Sequence, residues 1–459
     1  MGANLEIVIL AAGQGTRLKS AIPKVLHQIG GKPLLGHVIE AASSLTAPHN
    51  ITVVYGHGGE TVREALQASG VQWAKQEQQL GTGHAVAQAL PHLKGEGGGT
   101  VLVLFGDVPL VQTPALQSLV AAAANALAVL TIDLDDPHGY GRIVRNSQGQ
   151  VSRIVEQKDA DEAEKAIREV NTGVMAMPYD LLKWWLPQLG NNNAQGEYYL
   201  TDLVALAAKE SVPIKAEKAA DPNDVLGVNN REQLAQLERI YQARQAQRLM
   251  AAGVTLRDPA RFDLRGRILA MGTDVEIDPN VILEGDIRIG LGVKIGPNCF
   301  IRNADIGDGA SIEANSVIDD AVIGAGCRIG PFARIRPQTV LADHVHVGNF
   351  VELKKSQVDR GSKINHLSYV GDATVGAGVN IGAGTITCNY DGVNKFQTVI
   401  EDGAFIGSDT QLVAPVRVGK NATIGAGSTI TRDAPEEVLT LSRAKQLTVD
   451  GWKRPVKKN

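Results

Sequence analysis

The stretch IGAGCRIGPFARIRPQTVLADHVHV, residues 323–347, places an aliphatic side chain at every sixth position. These positions are Ile323, Ile329, Ile335, Leu341 and Val347. Six strand steps of about 180° each return a side chain to the same face, whereas six helical steps of about 100° each do not. The period therefore predicts short strands that wind into a β-solenoid, in which each repeat buries its aliphatic side chain against the next one.

The same period begins at Ile277, continues with two five-residue steps to Leu353, and returns from Ile400 to Ile430. Two irregular regions interrupt it, LKKSQVDRGSKINHLSYVGD (353–372) and GAGTITCNYDGVNKFQTVI (382–400). We expect the first region to leave the six-residue period after Leu353 and to regain it at Ile364. A passive stalk needs no cations in its repeats, so we expect the breaks to be functional, with a passive oligomerisation stalk as the alternative. The basic side chains that lie in or beside the breaks are Arg336, Lys354, Lys355, Lys363, His366 and Lys395.

The N-terminal half has a different pattern of apolar residues. Apolar runs such as EIVILAAG (6–13) and TVLVLFGD (100–107) alternate with helix-length segments, which predicts a doubly wound α/β domain with a mostly parallel sheet. Residues 231–252 contain no Gly or Pro and have near-helical apolar spacing, which predicts a connecting helix. The predicted domains are 1–230, the linker helix 231–252, and the solenoid with its C-terminal tail, 253–459.

Composition limits the possible partners and location. The 459 residues carry 49 acidic and 45 basic side chains, for a formal net charge of -4, so we expect no nucleic-acid partner. No segment approaches the roughly 20 apolar residues of a membrane helix, and the first residues lack the basic region of a signal peptide. The three cysteines have no paired spacing, which favours a reducing compartment. We therefore expect a cytoplasmic protein without membrane contact.

The segment LAAGQGTRLKSAIPKVL (10–26) is a candidate phosphate loop. Gly13 and Gly15 would let the backbone approach a polyphosphate, and Arg17 and Lys24 supply cations for the charge that develops during group transfer. Leu18 stands where a Rossmann fingerprint has its third glycine, and the loop lacks the GK[ST] ending of a Walker loop. A simple glycine turn that closes a strand is the alternative.

Together with QQLGTGHA (78–85) and FGDVPL (105–110), the pattern GxGTR followed by PK resembles the sugar nucleotidylyltransferases, which have a Rossmann-like domain. The resemblance implies that Asp107 and Asn229 hold one Mg²⁺ and that Arg17 and Lys24 act in catalysis. The implied sugar contacts are Gly141, Glu156 and Asn171. The other implied nucleotide and sugar contacts are Leu10, Ala11, Ala12, Gly13, Lys24, Gln76, Gly81, Thr82, Phe105 and Gly106.

The segments RPQTV, NFVELKK, INHLSYVGD and VNIGAGTITCNYDGVNKF occur in this order. They resemble the hexapeptide-repeat acetyltransferase domain of bacterial bifunctional enzymes, and the likeness covers residues 5 to 455. It implies a left-handed parallel β-helix, a homotrimer, and His366 as the general base. The implied sugar-phosphate contacts are Arg336, Lys354, Tyr369, Asn380 and Lys395. The implied acetyl-CoA contacts are Ala383, Asn389, Tyr390, Ser408, Ala426 and Arg443.

These resemblances predict a bifunctional enzyme of UDP-N-acetylglucosamine synthesis, which supplies peptidoglycan and lipopolysaccharide. It would acetylate glucosamine 1-phosphate with acetyl-CoA and then couple the product to UMP from UTP, releasing pyrophosphate. One alternative is a nucleotidylyltransferase with a single activity, whose β-helix only oligomerises or regulates. A second alternative is a solenoid scaffold with a relict N-terminal domain.

Overall fold

This computed structural model describes residues 4–13, 15–56, 58–95 and 98–457. The backbone divides into two compact units, Met1–Tyr241 (unit 1) and Gln242–Asn459 (unit 2). Within the described ranges, no helix has the length and apolar character that crossing a membrane requires.

Unit 1 is an α/β unit built on one sheet. In the described part of the chain the sheet has nine strands in the order β11-β7-β10-β6-β1-β4-β5, and the hairpin β8–β9 joins it through β10. The strands of unit 1 are β1 (Leu5–Ala11), β2 (Gln28–Ile29), β3 (Lys32–Pro33), β4 (Ile51–Tyr55), β5 (Gln72–Lys75), β6 (Thr100–Phe105), β7 (Leu127–Asp133), β8 (Arg142–Arg145), β9 (Val151–Val155), β10 (Glu169–Pro178) and β11 (Ile214–Lys218). Strands β2 and β3 form a separate hairpin.

The helices cover both faces of this sheet. They are α1 (Leu34–Ser43), α2 (Glu60–Ala65), α3 (Thr82–Ala89), α4 (Thr113–Ala122), α5 (Glu162–Lys165), α6 (Tyr179–Trp185) and α7 (Asp202–Lys209). A further helix, α8 (Arg231–Ala251), begins in unit 1 and ends in unit 2. Strand β1 shows why two layers are needed, because Ile7 and Ile9 enter one core whereas Val8 and Leu10 enter the other. A strand that buries both faces reads as a continuous apolar run.

The sheet confirms the predicted α/β class with a mixed, mostly parallel sheet, although the apolar runs did not predict where its antiparallel strands lie. Strands β1, β4, β6 and β7 run in the same direction, as the apolar runs predicted. Strand β10 lies antiparallel between β6 and β7, so these two strands are not direct neighbours. A simple alternation of strands and helices cannot place an antiparallel strand inside the sheet, because sheet order depends on contacts between distant segments.

Unit 2 is a parallel β-helix. In the described residues its strands form an 11-stranded and a 15-stranded sheet, which together make the walls of the coil. The strands are β12 (Thr255–Leu256), β13 (Phe262–Met271), β14 (Glu276–Ile277), β15 (Val281–Ile289), β16 (Lys294–Ile295), β17 (Phe300–Ile306), β18 (Ser311–Ile312), β19 (Val317–Ile323), β20 (Arg328–Ile329), β21 (Arg334–Ile335), β22 (Thr339–Leu341), β23 (His346–Asn349), β24 (Glu352–Lys354), β25 (Gln357–Val358), β26 (Lys363–His366), β27 (Tyr369–Gly371), β28 (Ala373–Val375), β29 (Asn380–Ile381), β30 (Ile386–Cys388), β31 (Thr398–Ile400), β32 (Phe405–Ile406), β33 (Gln411–Val413), β34 (Val416–Val418), β35 (Thr423–Ile424), β36 (Thr429–Ile430) and β37 (Leu439–Thr440).

The register of the coil follows the six-residue period. Ile295 pairs with Ile312, which pairs with Ile329, which pairs with Val347, so three successive repeats make one coil. The aliphatic side chains of the repeat are buried in one continuous core. The predicted solenoid is therefore confirmed, and its core is a stack of aliphatic side chains.

The expected break after Leu353 is wrong. Val358, which is 2% exposed, occupies the next core position after a step of five residues. It pairs with Leu341 below and Val375 above, so the coil keeps its regular length there. Five-residue steps between core positions also occur elsewhere in the repeat. The cations of this region therefore lie on a coil of regular length and not in an insertion.

The second break is confirmed. Ile381 pairs with Ile406, which makes this coil longer than a regular one by more than one repeat. The extra residues form a small hairpin that closes with an antiparallel bridge between Tyr390 and Lys395. Within it, Phe396 N donates to Asn389 O at 2.9 Å, and Asp391 Oδ1 accepts from the backbone N of Val393 and of Asn394. The insertion leaves the rungs on either side in register.

Candidate active sites

The loop after β1 holds Lys24 against the end of the strand. Gly15 has φ +61°, and a Cβ at this position would lie 2.6 Å from Lys24 Cβ, so both the conformation and the space require glycine. The loop thereby brings the lysine ammonium to the carboxyl end of β6, where Asp107 follows the strand. Carboxyl ends of strands are the usual place for a site in an α/β sheet.

Each candidate metal ligand in unit 1 is paired with one of the candidate catalytic cations. Lys24 Nζ forms an ion pair with Asp107 Oδ2, and both side chains are mostly buried. Arg17 Nη2 donates to Asn229 Oδ1 at 2.9 Å. The two pairs adjoin because Val228 N donates to Asp107 O at 3.0 Å. Four residues from distant parts of the chain thus meet at one edge of the sheet.

A cavity of about 330 Å³ opens beside these pairs. The predicted nucleotide residues that line it are Leu10, Ala11, Ala12, Gly13, Lys24, Gln76, Gly81, Thr82, Phe105 and Asp107. Gly106 adjoins it, since its N donates to Leu10 O at 2.9 Å. Gly81 has φ +112°, and a Cβ here would lie 2.6 Å from Tyr198 O. The segment around Tyr198 therefore packs directly on the turn that begins α3.

The three predicted sugar contacts form a second group in unit 1. Asn171 N donates to Gly141 O at 2.8 Å, and a Cβ on Gly141 would lie 3.3 Å from both Glu156 carboxylate oxygens. Burial raises the pKa of Glu156, and the Thr201 hydroxyl, which donates to Oε1 at 3.1 Å, opposes the shift. The structure thus brings together three residues that lie far apart in the sequence.

The donor atoms at Asp107 and Asn229 suit a hard divalent cation. A carboxylate and an amide oxygen are typical Mg²⁺ ligands, and such sites usually take further oxygens from water and substrate phosphates. Among the described residues, no group of three or more His, Cys, Asp or Glu could hold a metal by itself. A metal at this position would therefore depend on oxygens from a bound nucleotide.

Sequence reasoning missed several residues of unit 1. Gln79 donates to Ala12 O, Glu197 lines the cavity, and His84 contacts Gln76. The pKa of Tyr140 is raised, first by burial and then by the negative charge of Asp107. Gln79 and His84 lay inside a quoted motif, but nothing in their spacing showed which neighbours they contact.

In unit 2, the candidate base and four of the six candidate acetyl-CoA residues occupy one corner of the coil. Asn349 pairs with His366 in register, and the strand register from Ile364 to Ile381, Ile406 and Ile424 continues the same corner upward. Successive coils there carry His366, Ala383, Ser408 and Ala426. Arg443 extends this column, because its Nη1 donates to Ala426 O at 2.9 Å. His366 Nδ1 lies 3.1 Å from Asn349 Oδ1.

Asp372, which follows β27 at the next corner of the coil, lies close to several cationic side chains. Its side chain is 9% exposed and lies 3.8 Å from Lys354 Nζ and 3.7 Å from Lys355 Nζ. Asn389, at the base of the hairpin, donates to Asp372 Oδ2. The proximity of Lys354 lowers the pKa of Lys395, which places the hairpin lysine beside it. Asp372 was not among the predicted residues, since carboxylates are common at coil corners and its neighbours are distant in sequence.

The other predicted residues of unit 2 divide between two walls. Arg336 Nη1 donates to Glu352 Oε1 at 2.7 Å, and Tyr369 pairs in register with Glu352, so both face the Lys354 side. Tyr390 lies in the hairpin, where its hydroxyl donates to Gly392 O. Asn380 belongs to the 11-stranded sheet, between Lys363 and Phe405 in register. The chain therefore places Asn380 on a different wall from Lys354 and Tyr369.

Three family models match the chain. The MobA-like NTP transferase domain covers residues 7–255, the GMPPB C-terminal domain covers 267–358, and the bacterial transferase hexapeptide (six repeats) covers 397–432. The first agrees with the cavity and cation pairs of unit 1. The last two lie in the β-helix, where the hexapeptide assignment agrees with the observed core period.

Curated relatives match over nearly the full length. A protein of Methylococcus capsulatus named Bifunctional protein GlmU is 61% identical over 456 residues, which cover 99% of this chain and 98% of the relative. Proteins of the same name from Azoarcus sp. and Nitrosospira multiformis are 59% and 57% identical, with 99% of this chain covered and 100% and 99% of the relatives. Because the identity extends through both units, the chain belongs to the family of bifunctional GlmU proteins.

Proposed function

We propose that this protein is a bifunctional enzyme of UDP-N-acetylglucosamine synthesis. Unit 2 acetylates glucosamine 1-phosphate with acetyl-CoA, and unit 1 couples N-acetylglucosamine 1-phosphate to UMP from UTP, releasing pyrophosphate. One observation carries this proposal: two separate constellations of chemically suitable residues stand on a chain that matches bifunctional relatives across 99% of its length.

In unit 1 the chemistry needs positioning and charge neutralisation. The phosphate oxygen of N-acetylglucosamine 1-phosphate is already anionic near neutrality, so it can attack the α-phosphorus of UTP without a dedicated base. The new bond joins this oxygen to the α-phosphorus, and the bond to the β-phosphate oxygen breaks. Lys24 and Arg17 lie where they would offset the charge of the transferred group. Gly141, Glu156 and Asn171 would bind the sugar.

We propose Mg²⁺ as the metal of unit 1, with Asp107 and Asn229 as its protein ligands. Bound Mg²⁺ would reduce the repulsion between the attacking oxygen and the triphosphate. The support is the donor chemistry of these two side chains and their pairing with cations. The pairing implies that Lys24 and Arg17 exchange partners, from these ligands to phosphate oxygens, when substrate binds.

In unit 2 the chemistry needs a base. The amine of glucosamine 1-phosphate is largely protonated near neutrality, and attack on a thioester requires its free form. Histidine titrates in this range, and His366 stands in the column that continues to Ala383, Ser408 and Ala426. The free amine attacks the thioester carbonyl, and His366 accepts one of its protons. The carbon–sulfur bond then breaks, and the departing sulfur of coenzyme A takes up that proton and leaves as the thiol. Lys354, Lys395 and Arg336 would hold the phosphate, with Tyr369 beside them.

We also propose that the protein acts as a homotrimer with an acetyltransferase site shared between subunits. The support is the position of Asn380 on a different wall from Lys354 and Tyr369. Large apolar side chains also stay exposed on the β-helix, notably Phe332 and Phe350, whose rings stack at 5.3 Å. A partner subunit would cover such a surface. The three free cysteines support a cytoplasmic location, where thiols stay reduced.

The decisive experiment measures both reactions on the same preparations. Thiol release from acetyl-CoA with glucosamine 1-phosphate is compared between wild type, His366→Ala and the control His344→Ala, which alters an exposed imidazole. A general base contributes about 10² to 10⁴-fold, so His366→Ala should lose nearly all thiol release and His344→Ala should not.

The second assay is Mg²⁺-dependent pyrophosphate release from UTP and N-acetylglucosamine 1-phosphate. Asp107→Ala should abolish it and leave thiol release unchanged. Thiol release that survives His366→Ala would overturn the assigned base. A wild type without thiol release would reduce the β-helix to an oligomerisation or regulatory part, and absent pyrophosphate release would favour a scaffold.

A further inference from the structure

The side chain of Gln76 lies at the wall of the nucleotide cavity and is 2% exposed. It follows β5, and its backbone N donates to Tyr55 O at 2.8 Å. Its amide nitrogen Nε2 lies 3.1 Å from Gly81 O and 3.0 Å from His84 Nδ1. A carbonyl oxygen can only accept, so the contact with Gly81 requires the nitrogen of the amide on that side.

This orientation settles the proton on His84. The amide nitrogen of Gln76 donates both of its hydrogens, one to Gly81 O and one to His84 Nδ1. His84 Nδ1 must then be the acceptor, so a neutral imidazole carries its proton on Nε2. His84 Nε2 lies 3.2 Å from Gln88 Nε2, one helical turn along α3, and the same Gln88 nitrogen lies 3.4 Å from His84 O. With the ring proton on Nε2, the Gln88 amide must turn over so that its oxygen accepts from the ring, and the contact it gives up is already long for a hydrogen bond.

The amide oxygen of Gln76 is the atom left for a ligand. Across residues 4–13, 15–56, 58–95 and 98–457, no side chain or backbone group donates to Gln76 Oε1. Uracil offers a donor, N3–H, on its pairing edge, whereas cytosine has an acceptor at the same ring position. An acceptor held toward this edge therefore bonds to uracil and repels cytosine.

We propose that His84 is a positioning residue that holds the amide oxygen of Gln76 toward the base and so favours UTP over CTP. The inference rests on the uridylyl transfer proposed for unit 1. Gly81 O holds the amide in the same orientation, so His84 contributes part of the discrimination. A glutamine amide that is free to turn over can present its nitrogen instead, which donates to the ring acceptor of cytosine, so the cavity would then take either base.

The test compares UTP and CTP in pyrophosphate release by wild type, His84→Phe and His84→Asn. Phenylalanine keeps a ring but has no acceptor, whereas the asparagine Oδ1 can replace Nδ1. We expect His84→Phe to lower the ratio of kcat/KM for UTP to that for CTP by about three- to tenfold, the effect of one hydrogen bond, and His84→Asn to restore most of it. The same change at exposed His49 should leave the ratio unaltered.

Two further measurements make every outcome decisive. Urea unfolding followed by the fluorescence of Trp73, Trp184 and Trp185 checks that unit 1 of each variant is folded, and calorimetric binding of UTP and CTP reads the discrimination without turnover. An unaltered ratio in His84→Phe, or equal losses for both nucleotides, would overturn the positioning role. A wild type that releases no pyrophosphate would instead refute the proposed reaction, and the binding ratio would still decide the role of His84.

Discussion

At the scale of single residues, burial and hydrogen bonding determine which side chains of the candidate sites are charged and which partners they have. Most candidate residues could be named from sequence because their motifs resemble those of the sugar nucleotidylyltransferases and of the hexapeptide-repeat acetyltransferases. Their partners could not be named. Lys24 and Asp107 are 83 positions apart, and Arg17 and Asn229 are 212 apart, so only the fold pairs them.

Glu156 leads to a prediction about pH and stability. Burial raises its pKa, so between the unfolded value near 4.5 and the higher folded value the native state holds a proton that the unfolded chain has released. Stability therefore falls as pH rises through this window, and the cost is fully present above it. We expect Glu156→Gln to stabilise unit 1 by about 0.5–2 kcal/mol at pH 8, while the acceptor for Thr201 remains.

The measurement for Glu156→Gln is urea unfolding between pH 5 and 8, followed by tryptophan fluorescence. Trp73, Trp184 and Trp185 all lie in unit 1. The gain should shrink toward pH 5. Glu162→Gln, which alters an exposed carboxylate, is the control and should change little. A gain that is the same at pH 5 and pH 8 would contradict the assigned cause.

Asn349 leads to a prediction about the proposed base. Its Oδ1 lies 3.1 Å from His366 Nδ1, a contact that suits a proton on Nδ1 and leaves Nε2 free to accept another. We expect Asn349→Ala to lower kcat for thiol release about tenfold with little change in KM for glucosamine 1-phosphate. Gln357→Ala, on another wall of the coil, is the control. An unaltered kcat would show that the imidazole needs no such partner.

At the scale of elements, the six-residue period predicted nearly every rung of the β-helix. It failed at Val358, because a five-residue step there resembles a break when the sequence alone is read. It succeeded at the hairpin, where the coil between Ile381 and Ile406 is longer than its neighbours by more than one repeat. The contrast has a physical basis: a coil tolerates a corner that is one residue shorter, whereas a longer insertion must leave the wall.

The hairpin leads to the prediction that it can be removed without unfolding the β-helix. Deleting residues 390–397 would join Asn389 to Thr398 and return the coil to the length of its neighbours. Since the rungs on both sides are already in register, we expect circular dichroism and pyrophosphate release to be retained. Thiol release should fall by at least about 10²-fold because Lys395 is removed from its place beside Lys354.

The single change Lys395→Ala separates the charge from the hairpin itself. It should raise KM for glucosamine 1-phosphate while leaving the backbone of the hairpin in place. Full thiol release by the deletion variant would exclude the hairpin from the site. Loss of the β-sheet signal would show that the insertion is part of the fold.

At the scale of the whole molecule, the division of residues between two walls predicts intersubunit complementation. Lys354→Ala and Asn380→Ala should each be nearly inactive in thiol release. If the sites of the proposed homotrimer form between subunits, each mixed trimer made by co-expression regains one intact site in three. The measurement is thiol release by mixed trimers that have been isolated with two affinity tags. Mixed trimers as inactive as the parents would place each site within one chain.

The sequence by itself determined the periods, the classes of the two units and most of the chemical groups at the sites. The periods and classes could be read because strand alternation and glycine turns are local properties, and the chemical groups followed from the resemblance of their motifs to known families. Only the tertiary structure decided that β10 enters the sheet antiparallel, that Asp372 joins the lysines to the hairpin, and that Gln76 is oriented by His84. These contacts depend on sheet order and coil length. Both bring together side chains that are distant in sequence, and the spacing of such residues along the chain does not predict that they will be in contact.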